Sequence, residues 1–304
     1  MRDITIPLVV MLVLLTGCAT GAAVSPDRPL SEQESKMLSA GIWDVATGKQ
    51  VEESYFFERL EGARFILIGE SHGVRAHHEV QEAIYRELSA RNWGQVALGM
   101  EMIESRFQEG INGYLDGRLS EEEFLVAVEW ETRWGVDPEL YAPMWRLAKE
   151  AAQPVVGLNA PRELVREVRK QSLDGLSDED RAQLPEIALE HEEHRAFLFE
   201  IFASHGMGDD QETIERFYQA QIVWDEAMAQ RSFEVMNERE GQIVILAGRF
   251  HVERGFGIPE RLIRRGAAPE EVLIISTVSA EMEDYHDLEF LQTHQIADFV
   301  WIQE

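Results

Sequence analysis

The chain of 304 residues has a single cysteine, Cys18, so a disulfide within one chain is excluded. Basic residues are also scarce: 28 lysines and arginines face 56 acidic residues, and the formal net charge is −28 at pH 7. A surface so poor in positive charge repels phosphate backbones and anionic lipid. The composition therefore argues against a nucleic-acid-binding protein and against electrostatic binding to a membrane.

A long hydrophobic run is absent as well. The apolar stretch at residues 4–15 is too short for a bilayer span, which needs about 20 residues. It follows Arg2 and ends in the sequence LTGC at Cys18, which resembles the bacterial lipobox. We therefore predict that residues 1–17 are a lipoprotein signal peptide and that Cys18 is acylated. The alternative is an ordinary signal peptide in which this cysteine is coincidental.

The sequence after the cysteine predicts a short anchor and then the folded domain. Residues 18–30 are small and contain two prolines, which is typical of a flexible tether. Residues 31–304 are predicted to form one α/β domain. Ala19 occupies the position where an aspartate would retain a lipoprotein in the inner membrane, which favours the outer membrane as the location.

Several local catalytic signatures are missing. The chain has no His-Glu-x-x-His, Gly-x-Ser-x-Gly, P-loop or dinucleotide-binding sequence. His191 and His194 are three residues apart in an acidic stretch, which is the wrong spacing for a zinc protease motif. We predict that these two histidines lie on the surface.

Short apolar runs separated by helical patterns are the main structural signal. Nearly continuous Val, Ile and Leu indicates strands buried on both faces, and therefore a mostly parallel sheet covered by helices. The predicted strands are 64–70, 95–101, 154–159, 242–248 and 271–279, with a last candidate at 298–302. Helices are predicted at 75–92 and 140–152. The section 161–240 has no strand signal, so it predicts an insertion or lid of three or four helices between the third and fourth strands. The fold class is α/β.

Polar residues follow the predicted strands at their carboxyl ends. The first strand ends in Glu70 and leads to His72, the second ends in Glu101, the third in Asn159, and the fourth leads to His251. Ligands bind outside the carboxyl ends of the strands in open parallel sheets. A single polar residue after a strand is usually a helix cap or a loop residue, but four of the five best-defined strands end this way. We therefore predict that these side chains share one site.

Two imidazoles and a carboxylate suggest one chemistry for this site. His72, Glu101 and His251 are residue types that bind Zn²⁺, and a site with one open position activates water. Glu70 would then be the general base of a metal-dependent hydrolase.

The sequence also resembles the ChaN-like haem-binding lipoproteins, within the group that includes the Tiki proteases and erythromycin-esterase-like proteins. The resemblance extends from about residue 64 to residue 259. It is carried by five blocks in order: ILIGESHGVRAHHEVQ at 66–81, GMEM at 99–102, VVGLNAPR at 155–162, FYQAQIVWDEAMA at 217–229 and LAGRFHVERGFGIP at 246–259.

The resemblance implies haem binding in iron acquisition, with two haems face to face between two subunits. It implies that a tyrosine holds the iron, and that histidine and lysine contact the propionates. Tyr141 and Tyr218 lie in family-like segments and are the ligand candidates, although each also suits a buried core position. Further haem-contacting candidates from these blocks are His78, Asn159 and Asp225.

The sequence thus predicts a haem-binding envelope lipoprotein that is not an enzyme, is anchored through Cys18 and forms a homodimer around haem. The alternative is the metal-dependent hydrolase. A third reading is a structural lipoprotein in which the polar strand ends are incidental.

Overall fold

A computed structural model describes residues 37–92, 94–204 and 210–303. The predicted signal peptide, Cys18 and tether lie outside the described residues. Within the described ranges, no helix combines the length and the apolar character that crossing a membrane requires.

The sheet has eight strands in the described part of the chain. They are β1 (Gly41–Asp44), β2 (Lys49–Val51), β3 (Phe65–Glu70), β4 (Val96–Glu104), β5 (Val155–Asn159), β6 (Gln242–Gly248), β7 (Val272–Val278) and β8 (Phe299–Ile302). Their order across the sheet is β2-β1-β8-β7-β3-β6-β4-β5. The six predicted strands are β3 to β8 and all pair in parallel, which confirms the predicted fold class. The edge hairpin of β1 and β2 is antiparallel and was not predicted.

Helices cover the sheet. They are α1 (Glu53–Glu61), α2 (Arg75–Arg91), α3 (Gln108–Leu115), α4 (Glu121–Ala127), α5 (Trp130–Arg133), α6 (Ala142–Glu150), α7 (Arg162–Gln171), α8 (Asp178–Arg181), α9 (Glu192–Ser204), α10 (Gln211–Asn237), α11 (Ile258–Arg264) and α12 (Leu288–Thr293). The four helices α7 to α10 lie between β5 and β6, where the sequence predicts the helical insertion.

The continuous apolar runs are explained by burial on both sheet faces. In β3, Ile66 and Ile68 pack in the core that includes α2 and α6, while Phe65 and Leu67 pack in the core that includes α10 and α11. All four are at most 1% exposed. Burying one such side chain stabilises the fold by about 1.5–3 kcal/mol, so alternation with polar residues would be costly here.

The strand order positions the polar residues. Strand β6 lies between β3 and β4, with Glu70 beside Gly248 and Met100 beside Leu246 in the register. The carboxyl ends of β3, β6, β4 and β5 are therefore neighbours at one edge of the sheet. His251 follows β6 and therefore lies close to Glu101 of the neighbouring strand β4.

Candidate functional site

Glu70 is the centre of one half of the site. Its buried carboxylate is 2.6 Å from His72 Nδ1 and accepts hydrogen bonds from Tyr141 Oη at 2.6 Å and Gln81 Nε2 at 2.7 Å. His78 Nδ1 lies 3.3 Å from Glu70 Oε2. Four side chains thus hold both carboxylate oxygens in place.

These contacts set the charges of the pair. Burial alone would raise the pKa of Glu70, but the hydrogen bonds and charge of His72 outweigh it and lower the pKa below 4.5. Burial would lower the pKa of His72, but Glu70 and Glu101 outweigh it and raise the pKa above 6.5. Glu70 and His72 therefore form an ion pair at the end of β3.

Glu101 and His251 form the second half. Glu101 Oε2 accepts the Gly248 amide hydrogen at 2.6 Å, and its Oε1 lies 3.4 Å from His251 Nε2. On the other side of the ring, His251 Nδ1 is 2.5 Å from Asp225 Oδ1. The Gln221 amide lies 2.9 Å from the same nitrogen. One imidazole is thus enclosed between two buried carboxylates.

The pKa values follow from this enclosure. Burial would raise the pKa of Glu101, but the charges of His251 and His72 and the Gly248 amide lower it to about 2. Burial would lower the pKa of His251, but Glu101 and Asp225 raise it to about 10. His251 is therefore an imidazolium at neutral pH.

The two halves meet at Glu101, whose Oε1 is 3.9 Å from His72 Nε2. We call Glu70, His72, Glu101, Asp225 and His251 the rim network. A Cβ at Gly248 would lie 2.9 Å from His72 Nε2, so a side chain there would displace the His72 ring.

The prediction that polar strand ends converge holds for Glu70, His72, Glu101 and His251. Asn159 lies next to them but binds main chain: its Nδ2 donates to the Glu101 carbonyl at 3.0 Å. The roles of these residues in binding or catalysis stay predictions.

Both candidate tyrosines are fully buried. Tyr141 donates to Glu70, and Tyr218 donates to the Leu189 carbonyl at 3.0 Å. Burial raises the pKa of Tyr218 to about 12, and burial and the Glu70 charge raise the pKa of Tyr141 well above 10. Either tyrosine would have to give up its hydrogen bond and its proton to bind iron as a phenolate.

Two amide side chains that hold the rim network, Gln221 and Gln81, were not predicted as site residues. Gln221 and Asp225 are one turn apart on α10, and both reach His251. Gln81 bridges Glu70 and His78 from α2. The four-residue spacing of Gln221 and Asp225 was the available signal.

A cavity of about 290 Å³ lies between α7 and α10, and we call it the basic groove. It is lined by Arg162, Val165, Arg166, Arg169, Lys170, Phe217 and Trp224. The Arg169 guanidinium lies 4.2 Å from the centre of the Phe217 ring. Trp224 connects the groove to the rim network, since its ring centre is 6.3 Å from that of His251. Such a concentration of cations is unexpected in a chain of net charge −28, and the basic residues at helical spacing in 162–170 were its signal.

The surface prediction for the histidine pair was wrong for His194, which is 0% exposed. The first turn of α9 packs against Phe256 and Tyr218, so the local acidic sequence did not reveal its burial. His191 is half-buried.

The comparisons with known proteins agree with this architecture. Residues 56–262 match the family model described as haem-binding uptake, Tiki superfamily, ChaN. The structure of ChaN of Campylobacter jejuni with cofacial haem matches with a TM-score of 0.65 at 20% identity, over 90% of this chain and 98% of that one. At this identity the likeness shows a shared fold.

Two other solved structures are more distant. An erythromycin esterase mutant, EreC, in its open conformation has a TM-score of 0.46 at 15% identity, over 79% of this chain and 76% of that one. The type III effector HopBA1 has a TM-score of 0.44 at 12% identity, over 90% and 99%. No curated protein sequence matches.

Proposed function

Because this chain belongs to the ChaN family of haem-binding uptake proteins in the Tiki superfamily, we propose that it is a haem-binding lipoprotein of the cell envelope that serves iron acquisition. The family match carries this proposal. It spans the four neighbouring strand ends and both helices of the basic groove. The lipid on Cys18 would hold the protein at the outer membrane.

The basic groove supplies the chemistry that a haem needs. A porphyrin presents an apolar aromatic face and two propionates at one edge. Phe217 and Trp224 provide aromatic surface, while Arg166, Arg169 and Lys170 provide cations that bind carboxylates through charge-assisted hydrogen bonds. We therefore place the haem in this groove, with its propionates towards α7.

The size of the groove supports a dimer. Ligand pockets usually measure about 300–1,000 Å³, and the groove at about 290 Å³ is at the lower limit. A porphyrin in it would leave one face uncovered. A second copy of the chain would cover that face, which fits the predicted homodimer around haem.

The iron ligand is a separate question. Neither Tyr141 nor Tyr218 lines the basic groove, and both hydroxyls are engaged in hydrogen bonds. Ligation by either would require a rearrangement of its helix or loop on haem binding. The proposal of haem binding does not depend on which residue provides the ligand.

The test is a titration of the purified full chain with haemin, followed by absorbance in the Soret region and by size measurement. We expect saturable binding and a dimer. Replacing Arg169 and Lys170 together by Ala should weaken binding about tenfold or more, since a hydrogen bond to a charged group contributes about 1.5–3 kcal/mol. The control is Arg118→Ala, an exposed arginine paired with Glu109 and Asp116 on another surface. No saturable binding by the unaltered chain would refute the proposal.

A metal-dependent hydrolase is the second candidate, and one observation favours it. Glu101 Oε1 lies 3.4 Å from His251 Nε2 and 3.9 Å from His72 Nε2, so three possible metal ligands converge within the rim network. Loss of the imidazolium protons would open these nitrogens to a metal ion. In that case His72→Ala and His251→Ala should each abolish metal retention, as measured by elemental analysis, and retention in either variant would contradict this function.

A further inference from the structure

A second cluster of ligating side chains lies outside the rim network, where α9 meets α11. His191 directly precedes α9, His194 is in its first turn, and Glu260 is in the first turn of α11. One ligand atom from each lies within 4.8 Å of the other two. Across the described ranges, this is the one set of three or more His, Cys, Asp or Glu side chains with that geometry.

His194 is the least expected member, because it is 0% exposed and neither ring nitrogen has a hydrogen-bond partner among the described residues. Buried polar side chains are nearly always hydrogen-bonded, and an exception calls for a bound water or ion. Burial and the charge of Arg261 lower the pKa of His194 to about 3. The ring is therefore neutral, which is the form of imidazole that binds a metal.

The other two side chains face each other as acceptors. Glu260 Oε2 lies 3.4 Å from His191 Nδ1 and has no hydrogen-bond partner in the described part of the chain. That nitrogen accepts the His194 amide hydrogen at 3.0 Å, so its one lone pair is engaged by that amide. A metal ion in this cluster would therefore bind His191 through Nε2, or through Nδ1 after displacing the amide.

The surroundings are compatible with a cation. Arg261 donates to Glu260 Oε1 at 3.1 Å, and this fixes the carboxylate while leaving Oε2 available. The charge of Arg261 is itself balanced by buried Glu226, 3.2 Å away. The ring of Phe256 stacks on His194 with centres 5.2 Å apart, which holds the imidazole in its orientation.

We propose that His191, His194 and Glu260 bind one divalent transition-metal ion, with zinc as the best-suited ion. Two imidazoles and one carboxylate form a donor set that is common in zinc sites, and bonds of about 2.0–2.2 Å require the ligand atoms to move closer together by small side-chain rotations. Three protein ligands leave one coordination position open to water or to a small ligand. The half-buried His191 and Glu260 form the entrance, and the ion would join α9 to α11.

The test is metal binding by the purified full chain in detergent, after removal of metal with a chelator. Zn²⁺ is titrated by calorimetry, and Co²⁺ is titrated with visible absorbance as a report on coordination geometry. The variants are His194→Ala and the nearly isosteric Glu260→Gln. We expect each to bind one equivalent fewer or to bind it more than about tenfold less tightly, and to lose the cobalt bands of a four-coordinate site.

One further variant controls for other histidines. His294→Ala removes a half-buried imidazole that meets the Phe290 ring edge-on, and it should keep the ion. Unchanged zinc affinity in Glu260→Gln and His194→Ala would overturn the proposal. Circular dichroism and thermal unfolding of Glu260→Gln establish that the fold is intact. Haemin titration of the same variants is read separately, so failure of haem binding leaves this test unaffected.

Discussion

Replacing Asp225 by Asn tests the electrostatic description of the rim network. Asp225 and Glu101 together raise the pKa of His251 from its ordinary 6.5 to about 10. A histidine whose pKa is raised in the folded state stabilises the protein fully below the unfolded pKa of about 6.5, and that stability is lost as the pH rises through about 10. The free energy of unfolding of the unaltered protein should therefore fall between pH 6 and pH 9.

The size of this fall follows from the shift. At about 1.4 kcal/mol per pKa unit, the contribution of His251 decreases by on the order of 3 kcal/mol between pH 6 and pH 9. His72 adds to the fall, because its pKa is raised as well. Asp225→Asn leaves Glu101 as the one anion beside His251, so the part of the fall due to His251 should shrink by roughly half, if the two carboxylates contribute comparably.

The assay is urea unfolding of chelator-treated protein at pH 6, 7, 8 and 9. Histidine NMR of the folded state provides a direct second reading, in which the pKa of His251 is lower in the variant. The control is Glu234→Gln, an exposed acid on the same helix that bonds Gln230, which should leave the pH dependence unchanged. If Asp225→Asn unfolds with the same pH dependence as the unaltered protein, the reasoning about His251 is wrong.

Three other predictions concern packing, ligation and anchoring. Gly248→Ala should destabilise the fold by about 1–3 kcal/mol in thermal or urea unfolding, because the new Cβ would lie 2.9 Å from His72 Nε2. The control Gly62→Ala should have little effect, because the nearest atom to a Cβ at that position is 3.7 Å away. If a tyrosine holds the haem iron, Tyr141→Phe or Tyr218→Phe should change the haem absorbance spectrum, and unchanged spectra in both would refute the ligand assignment. Cys18→Ser should move the protein from the membrane fraction to the soluble fraction and remove the lipid mass from its N-terminus; an unchanged distribution would refute the lipid anchor.

The parallel sheet was predictable because its strands are buried on both faces. Every residue of β3 and β6 is buried, so the apolar runs are continuous and their ends are marked by glycine and polar residues. The hairpin of β1 and β2 was not predictable by the same means. It has four and three residues, is exposed along β2, and depends on pairing with β8 from the other end of the chain.

The site was predictable in outline and not in its connections. The rule that ligands lie at the carboxyl ends of parallel strands identified the rim residues, because applying the rule requires only the positions at which the strands end. It did not give the position of β6 between β3 and β4, which brings His251 next to Glu101. It also did not give the contact of Tyr141 with Glu70, because 71 residues separate them and local sequence carries no information about such a contact.

Hydrogen bonding distinguishes the two polar clusters of this protein. In the rim network both oxygens of Glu70 are bonded and His251 has a carboxylate on each side, so a ligand at either residue must displace existing partners, and only Asp225 Oδ2 of the network's carboxylate oxygens is left without a partner among the described residues. At His194 the reverse holds, because both nitrogens lack partners among the described residues and a ligand would gain contacts without displacing any. A buried polar group left unsatisfied costs about 1–3 kcal/mol, so binding there recovers free energy that folding has already lost. On this argument a metal ion should bind first at the cluster of His194, while the rim network holds the strand ends together beside the basic groove that we propose as the haem site.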